Sequence, residues 1–261
     1  MVGDRGKVRI SVAMATFNGA CYIKEQLDSI LNQLGEADEL VISDDGSSDE
    51  TLAIIREYQK ADKRIRLVEG PRQGIKKNVE HAIAQANGDY IFLADQDDIW
   101  MPGKVEKVIE AFEEQKSFVV IHDAKVFEGE DREHIIMESF YEFRGSKAGI
   151  LKNMVKNSYI GCCMAFRREL TEFILPIPEK IEMHDQWIGI ISDLVSGPSC
   201  FLREPLLLYR RHGENNSNMS HYSLGKILRN RIVFFGYFFV RILQICHNRQ
   251  VISGNFKKND S

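Results

Sequence analysis

Two short acidic clusters carry the most legible chemistry in this sequence. Asp44-Asp45-Gly46-Ser47 follows the apolar run Leu40-Val41-Ile42, and Asp95-Gln96-Asp97-Asp98 follows Tyr90-Ile91-Phe92-Leu93. Short apolar runs of this kind read as buried strands. The carboxyl edge of an α/β sheet is where ligands bind, so two acid-bearing strand ends describe a site for a nucleotide, a metal or both. Asp95, Asp97 and Asp98 crowd three carboxylates into four positions, and these repel one another unless a cation stands close. A calcium loop does not account for them, because its twelve-position ligand spacing and terminal glutamate are absent. Taken alone, residues 44–49 also read as a strand-to-helix turn with a helix cap. The second cluster is what favours a site. A further acid, Asp185 in His184-Asp185-Gln186-Trp187, stands before an apolar helix, where a lone aspartate reads first as an N-cap.

These acids need a scaffold, and the hydrophobic pattern supplies one. Residues 8–15 read as a first strand ending at Thr16-Phe17-Asn18-Gly19, whose Asn-Gly is a turn signal. Ile23, Leu27, Ile30, Leu31 and Leu34 recur at helical spacing. Residues 39–43 form the next strand, and Ser48 or Asp49 offers an N-cap for a helix carrying Leu52, Ile55 and Tyr58. A third unit follows: strand 65–68, loop 70–74, then helix 76–86 closed by Asn87-Gly88. With a central strand at 90–94, the alternation predicts an α/β fold with a mostly parallel sheet and right-handed crossovers. The second half is less regular. It reads as a helix from near Pro102 through Phe112, a strand at 118–122, a solvated turn at 128–133 and a small-residue strand over 158–167. In that strand Gly161 would let backbone approach a ligand. Helix 188–194, strand 206–210 and a polar loop at 211–223 complete it, with no internal repeat.

A formal charge of −4 over 261 residues argues against a nucleic-acid partner, which usually requires a basic field. Cys21, Cys162, Cys163, Cys200 and Cys246 show no zinc-type spacing and read as reduced, mostly buried thiols. The first nine residues are polar and lack the apolar segment of a secretory signal, so a cytoplasmic protein is expected.

The ordered set Ala15-Thr16-Phe17-Asn18-Gly19, Ile42-Ser43-Asp44-Asp45-Gly46-Ser47-Ser48-Asp49, Gly88-Asp89-Tyr90 and Ala94-Asp95-Gln96-Asp97-Asp98 resembles the family 2 glycosyltransferases. The resemblance covers about residues 8–215 and is strongest to the bacterial rhamnosyltransferase-like branch. It implies a single nucleotide-sugar-binding domain of the A-type fold, Mg2+ or Mn2+, a nucleotide-diphosphate sugar donor, and transfer with inversion to a hydroxyl. By the same resemblance Asp44 meets the pyrimidine base while backbone around Thr16 and Asn18 closes over it, and Asp45 binds the nucleotide or braces the turn. A carboxylate accepts the imide N–H of uracil and thymine alike, so the chemistry does not separate UDP from dTDP. Asp95 corresponds to the residue that approaches the ribose and Asp97 to the one that holds the metal. Asp185 corresponds to the base that takes the acceptor proton. Arg210 or Arg211 would neutralise phosphate and His212 would offer nitrogen to the metal. Lys76 and Lys77 lie near the nucleotide side, and Trp187 stacks on an acceptor sugar or anchors its helix.

Residues 219–261 change the expected acceptor. They hold seven Lys or Arg and one acid around the apolar run 232–240, which is too short to cross a bilayer. The expected organisation is a catalytic domain at 1–218 and a helical tail at 219–261. The tail reads as a contact to an anionic membrane surface or to a second copy. A glycan or lipid-linked glycan acceptor at the inner face of the cell membrane follows, with surface polysaccharide as the product. Two other readings stay open: a nucleotidyltransferase, for which the basic Gly-rich loop after the first strand is missing, and a nonenzymatic nucleotide-sugar sensor.

Overall fold

In the computed structural model, residues 8–213 and 224–259 are described. The chain runs β1 (Ile10–Thr16), α1 (Ile23–Leu31), β2 (Glu39–Asp44), α2 (Thr51–Ala61), β3 (Ile65–Glu69), α3 (Ile75–Gln85) and β4 (Tyr90–Asp95). It continues through β5 (Ile99–Trp100), α4 (Lys104–Gln115), β6 (Val119–Glu128), β7 (Ile135–Met137), α5 (Phe140–Arg144) and α6 (Ile150–Val155). Last come β8 (Met164–Arg167), α7 (Thr171–Ile174), α8 (His184–Ser196), β9 (Cys200–Arg211) and α9 (Leu224–Asn259). Two compact units result: Met1–Ile177 with Met183–Asn218, and Pro178–Glu182 with Met219–Ser261.

The sheet order in the first unit is β3-β2-β1-β4-β8-β6-β9-β5, with β7 on β6. β3, β2, β1 and β4 are parallel, as the βα alternation requires. Beyond β4 the expectation of a mostly parallel sheet fails. β8 runs antiparallel to both β4 and β6, β7 antiparallel to β6, and β5 antiparallel to β9, while β6 and β9 are parallel. β8 is not delivered by a βα crossover; it emerges from a 3-10 turn at Gly161–Cys163, which shortens the strand expected over 158–167. β6 and β9, expected at about five residues each, extend to 10 and 12, and pair along much of their length.

The parallel strands are buried along their whole lengths in β1 and β2, which explains their near-continuous apolar runs. Gly88 does not close α3 as a left-handed cap. It lies where β1 passes, and a Cβ there would sit 2.5 Å from the Ser11 nitrogen. The α2 cap position is Glu50, with Asp49 Oδ1 instead accepting from the Thr51 N–H at 3.0 Å.

Candidate active site

The register fixes the first part of the site. Thr16 stands opposite Asp44 and Ala15 opposite Asp95, so three strand ends of β2, β1 and β4 share one edge. Asp44 is 3% exposed. Its Oδ1 accepts from Gly46 N at 3.1 Å and Ser47 N at 2.8 Å, and its Oδ2 accepts from Thr16 Oγ1 at 3.0 Å and Ser47 Oγ at 2.6 Å. Backbone donors are fixed, whereas hydroxyls rotate, so Oδ2 is the oxygen that can be released to a ligand N–H. Asp45 braces: it accepts from Gly74 N at 2.7 Å at the start of α3, and its own N–H donates to Thr16 O. Asn18 sits in the left-handed region at φ 48°, and its Oδ1 accepts from Ser48 N at 2.8 Å. The Phe17 and Gln96 groups exchange two hydrogen bonds, linking this edge to the acidic loop.

Asn78 has a role here that was not read from the sequence. Fully buried on α3, it donates from Nδ2 to Thr16 O at 3.2 Å and Ser43 O at 2.8 Å, clamping the ends of β1 and β2. Its visible signal is a polar residue on the apolar stripe of Val79, Ala82 and Ile83. Gly70 makes room, since a Cβ there would stand 2.5 Å from Asn78 Oδ1 and 2.6 Å from Asp44 O.

In the acidic loop, carboxylate oxygens of Asp95 and Asp98 and the Cys162 sulfur lie within 4.8 Å of one another. Burial, then Asp97 and Asp185, raise the Asp95 carboxyl, and burial with Asp97 and Asp95 raises Asp98 well above its usual range. Asp98 Oδ2 is buried and finds no hydrogen-bond partner among the described residues. Crowded carboxyls with an unsatisfied oxygen fit a divalent cation with oxygen ligands. The Cys162 thiol, pushed up by its hydrogen bond with Cys163 and by burial, is a protonated neighbour rather than a ready thiolate. Lys104 is the other group not anticipated. It is 1% exposed beneath the cluster, donates to Cys162 O at 3.1 Å, and is pushed down to about 8 by burial. Its visible signal is the same as that of Asn78: it falls on the apolar stripe of its helix, in line with Val108, Ala111 and Phe112.

β9 crosses back to this loop. His212 Nε2 lies 2.7 Å from Asp97 Oδ2, and its ring stacks on Tyr22 at 4.7 Å. Arg210 departs from its expected place at phosphate. At 1% exposure it donates from its backbone to Asp98 Oδ1, from Nε to Asp97 O at 2.9 Å, from Nη1 to Gly129 O and from Nη2 to Glu25, between the rings of Tyr22 and Phe127. It is a buried strut for the acidic loop. Arg211 is exposed.

Asp185 lies in the first turn of α8 rather than at its cap, which is Met183. Its Oδ1 accepts from Gln186 N at 2.6 Å and from Asn157 Nδ2 at 3.0 Å, and among the described residues no hydrogen bond occupies Oδ2. Burial raises the carboxyl, against the opposing pull of His184, the Gln186 N–H, Arg144 and Asn157. Asn157 carries no signal in the sequence, since it lies in an irregular loop without periodicity. Gly161 serves packing: a Cβ there would meet His184 Nε2 at 2.9 Å. Trp187 is fully buried and donates to Ile174 O at 2.8 Å, so it anchors α8. Lys77 is paired with Glu80; the His184 imidazole is pushed down by burial, against the pull of Asp185, with a smaller contribution from Lys76.

The sequence pattern described as Glycosyl transferase family 2 matches residues 11–175. The chain belongs to this family. An uncharacterized glycosyltransferase of Nostoc sp. is 28% identical over 216 residues, covering 80% of this chain and 66% of that protein. The dTDP-rhamnosyl transferase RfbG of Shigella flexneri is 27% identical, covering 84% and 80%. Among solved structures, S. aureus TarS in complex with UDP-GlcNAc matches with a TM-score of 0.67 at 20% identity, over 86% of this chain and 66% of that one. Mannosyltransferase PcManGT of Pyrobaculum calidifontis, in complex with GDP-Man and Mn2+, matches with a TM-score of 0.61 at 19% identity, over 83% and 60%. These structural likenesses concern the fold. The chain spans 66% and 61% of the length of the first two curated relatives. Family membership and the α/β sheet are consistent with the A-type nucleotide-sugar-binding fold.

Proposed function

We propose that this family 2 member catalyses inverting transfer of a sugar from a UDP- or dTDP-linked donor, dTDP-rhamnose among them. The acceptor is a hydroxyl of a cell-surface polysaccharide or its lipid-linked precursor. One observation carries the reading: Asp185, whose Oδ2 accepts no hydrogen bond among the described residues, adds its charge to the burial and the Asp97 carboxylate that raise the Asp95 carboxyl, so it lies within electrostatic reach of the acidic loop. A base and a diphosphate-holding cluster so placed can address one reacting carbon from two sides.

In this reading Thr16, Asn18 and Asp44 hold the nucleoside, with Asp45 fixing the turn and Asp95 at the ribose. Phe17, 55% exposed beside this edge, offers its ring to the base. Asp97, His212 and the Asp95/Asp98 pair are the groups that would hold Mg2+ or Mn2+, and a bound cation would neutralise the departing diphosphate. Asp185 Oδ2 takes the acceptor O–H proton as the acceptor oxygen forms its bond to the anomeric carbon. The bond from that carbon to the diphosphate oxygen breaks on the opposite face, the nucleoside diphosphate leaves with the electron pair, and the configuration inverts. Burial raises the Asp185 carboxyl, which makes its ionised form a stronger proton acceptor than an exposed aspartate. The rhamnosyltransferase-like branch is supported by the RfbG resemblance in sequence. Cytoplasmic placement at the inner membrane face goes with a lipid-linked acceptor.

A panel of UDP- and dTDP-sugars with Mn2+ and lipid-linked acceptors tests the proposal. Transfer that D185N abolishes while donor binding persists is the expected result. Donor binding without turnover across the panel would favour a sensor instead.

A further inference from the structure

The α9 helix presents two different sides. Phe234, Phe238, Arg241 and Ile245, at spacings of four, three and four residues, are buried. Leu228, Ile232, Phe235, Phe239 and Leu243, at spacings of four, three, four and four, are between 48% and 64% exposed. At about 100° per residue the second set falls within an arc of roughly 80°, centred about 130° around the helix from the buried set. Val240 adds to the exposed apolar surface at one flank, and so does Cys246 within the arc. Large aliphatic and aromatic side chains gathered on one face of a helix and left in water mark an interaction surface.

The charge of the helix chooses the occupant. Residues 224–259 contain Lys226, Arg229, Arg231, Arg241, Arg249, Lys257 and Lys258 and no Asp or Glu. Two copies joined through this face would bring two acid-free basic helices together with no carboxylate of their own to pair, which opposes association. An anionic lipid surface supplies the missing charge, and its acyl region takes the apolar arc. Arg229 and Lys226 are exposed and lie beyond one border of the arc, so their long stems can carry charge to the headgroups while the apolar residues enter. No helix among the described residues is long and apolar enough to cross a membrane, so contact would be along the helix.

We infer that the Leu228/Ile232/Phe235/Phe239/Leu243 face of α9 is a docking surface for an anionic lipid bilayer, with the helix lying in the plane of the membrane. This docking does not depend on which sugar is transferred, or on whether any is. The full chain should cosediment with vesicles of phosphatidylcholine containing 30% phosphatidylglycerol. With pure phosphatidylcholine, or in 0.5 M salt, cosedimentation should fall at least tenfold.

Substituting Ile232, Phe235, Phe239 and Leu243 together with serine should reduce binding to the anionic vesicles at least tenfold. The substituted side chains are exposed, so helical circular dichroism and the melting temperature should hold. K226Q/R229Q should lower binding in the same direction and flatten its salt dependence. The inference is overturned if the parent ignores anionic vesicles, or if the serine variant binds them as the parent does. It is overturned equally if light scattering shows a dimer that the serine variant converts to monomer, since the face would then belong to a second copy. Donor-sugar binding by calorimetry, run beside these assays, tests the nucleotide edge separately and leaves the two conclusions distinguishable.

Discussion

Replacing Asn157 with alanine should change how Asp185 works without touching the nucleotide edge. In the folded protein the Asn157 Nδ2 hydrogen bond, 3.0 Å long, is one of two that reach Asp185 among the described residues, both on Oδ1. It favours the ionised carboxylate of a group that burial already raises. A hydrogen bond to a charged group contributes about 1.5–3 kcal/mol, so its loss should push the Asp185 carboxyl further up, in the direction burial already drives it. The base must be ionised to accept a proton. The acid limb of the kcat profile should therefore move upward, and turnover at a pH on the parental limb should fall about tenfold or more. Asn157 also accepts from Tyr159 N at 3.0 Å through its Oδ1, so a serine variant, which keeps a short hydroxyl, serves as a partial rescue. Steady-state transfer or donor hydrolysis across pH 5 to 9, with donor affinity measured by calorimetry, reads the effect. A variant with the parental limb and a uniformly lower rate would refute the argument, because a loop that merely packs badly does not retitrate the base. If D185N keeps parental turnover, the base assignment itself fails.

R210M should destabilise the protein by several kcal/mol and leave donor affinity nearly unchanged in the fraction that folds. It strands Glu25, Gly129 O and Asp97 O at once. Urea unfolding decides this, and a stable variant with weakened diphosphate binding would return Arg210 to the ligand. D44A should weaken UDP or dTDP binding and also lower the melting temperature, because four hydrogen bonds of the turn end on that carboxylate; affinity loss without destabilisation would show that the turn holds itself. The metal-free protein should lose stability as pH rises above about 4. Asp95 and Asp98 are raised in the folded state, so their contribution is present below the unfolded carboxyl pKa and lost as pH climbs through the folded values. Mn2+ should flatten that slope in thermal melts at pH 5 to 8, and D97N should weaken the Mn2+ effect; a slope indifferent to Mn2+ would argue against a cation at the cluster.

Much of this protein was decided locally, and those parts could be read directly. β1, β2 and β4 are apolar runs buried along nearly their entire lengths, each ending in Thr16, Asp44 or Asp95, and period and turn chemistry place such residues at one sheet edge. The acids, their order and the helices between them need only nearest-neighbour rules. What the tertiary structure decided lies where partners are far apart in the chain. Arg210 and His212 stand two positions apart in the chain, yet one is driven inward between Tyr22 and Phe127 while the other meets Asp97. That division follows from the pairing of β9 with β6 and β5, which no local pattern encodes. Asn157 reaches Asp185 across 28 residues and Asn78 reaches Thr16 across 62. Lys104 becomes a buried cation only because β8 is preceded by a turn that lays Cys162 O above it. Periodicity reports which face of an element is buried; it carries no information on which distant group will fill the space that burial creates.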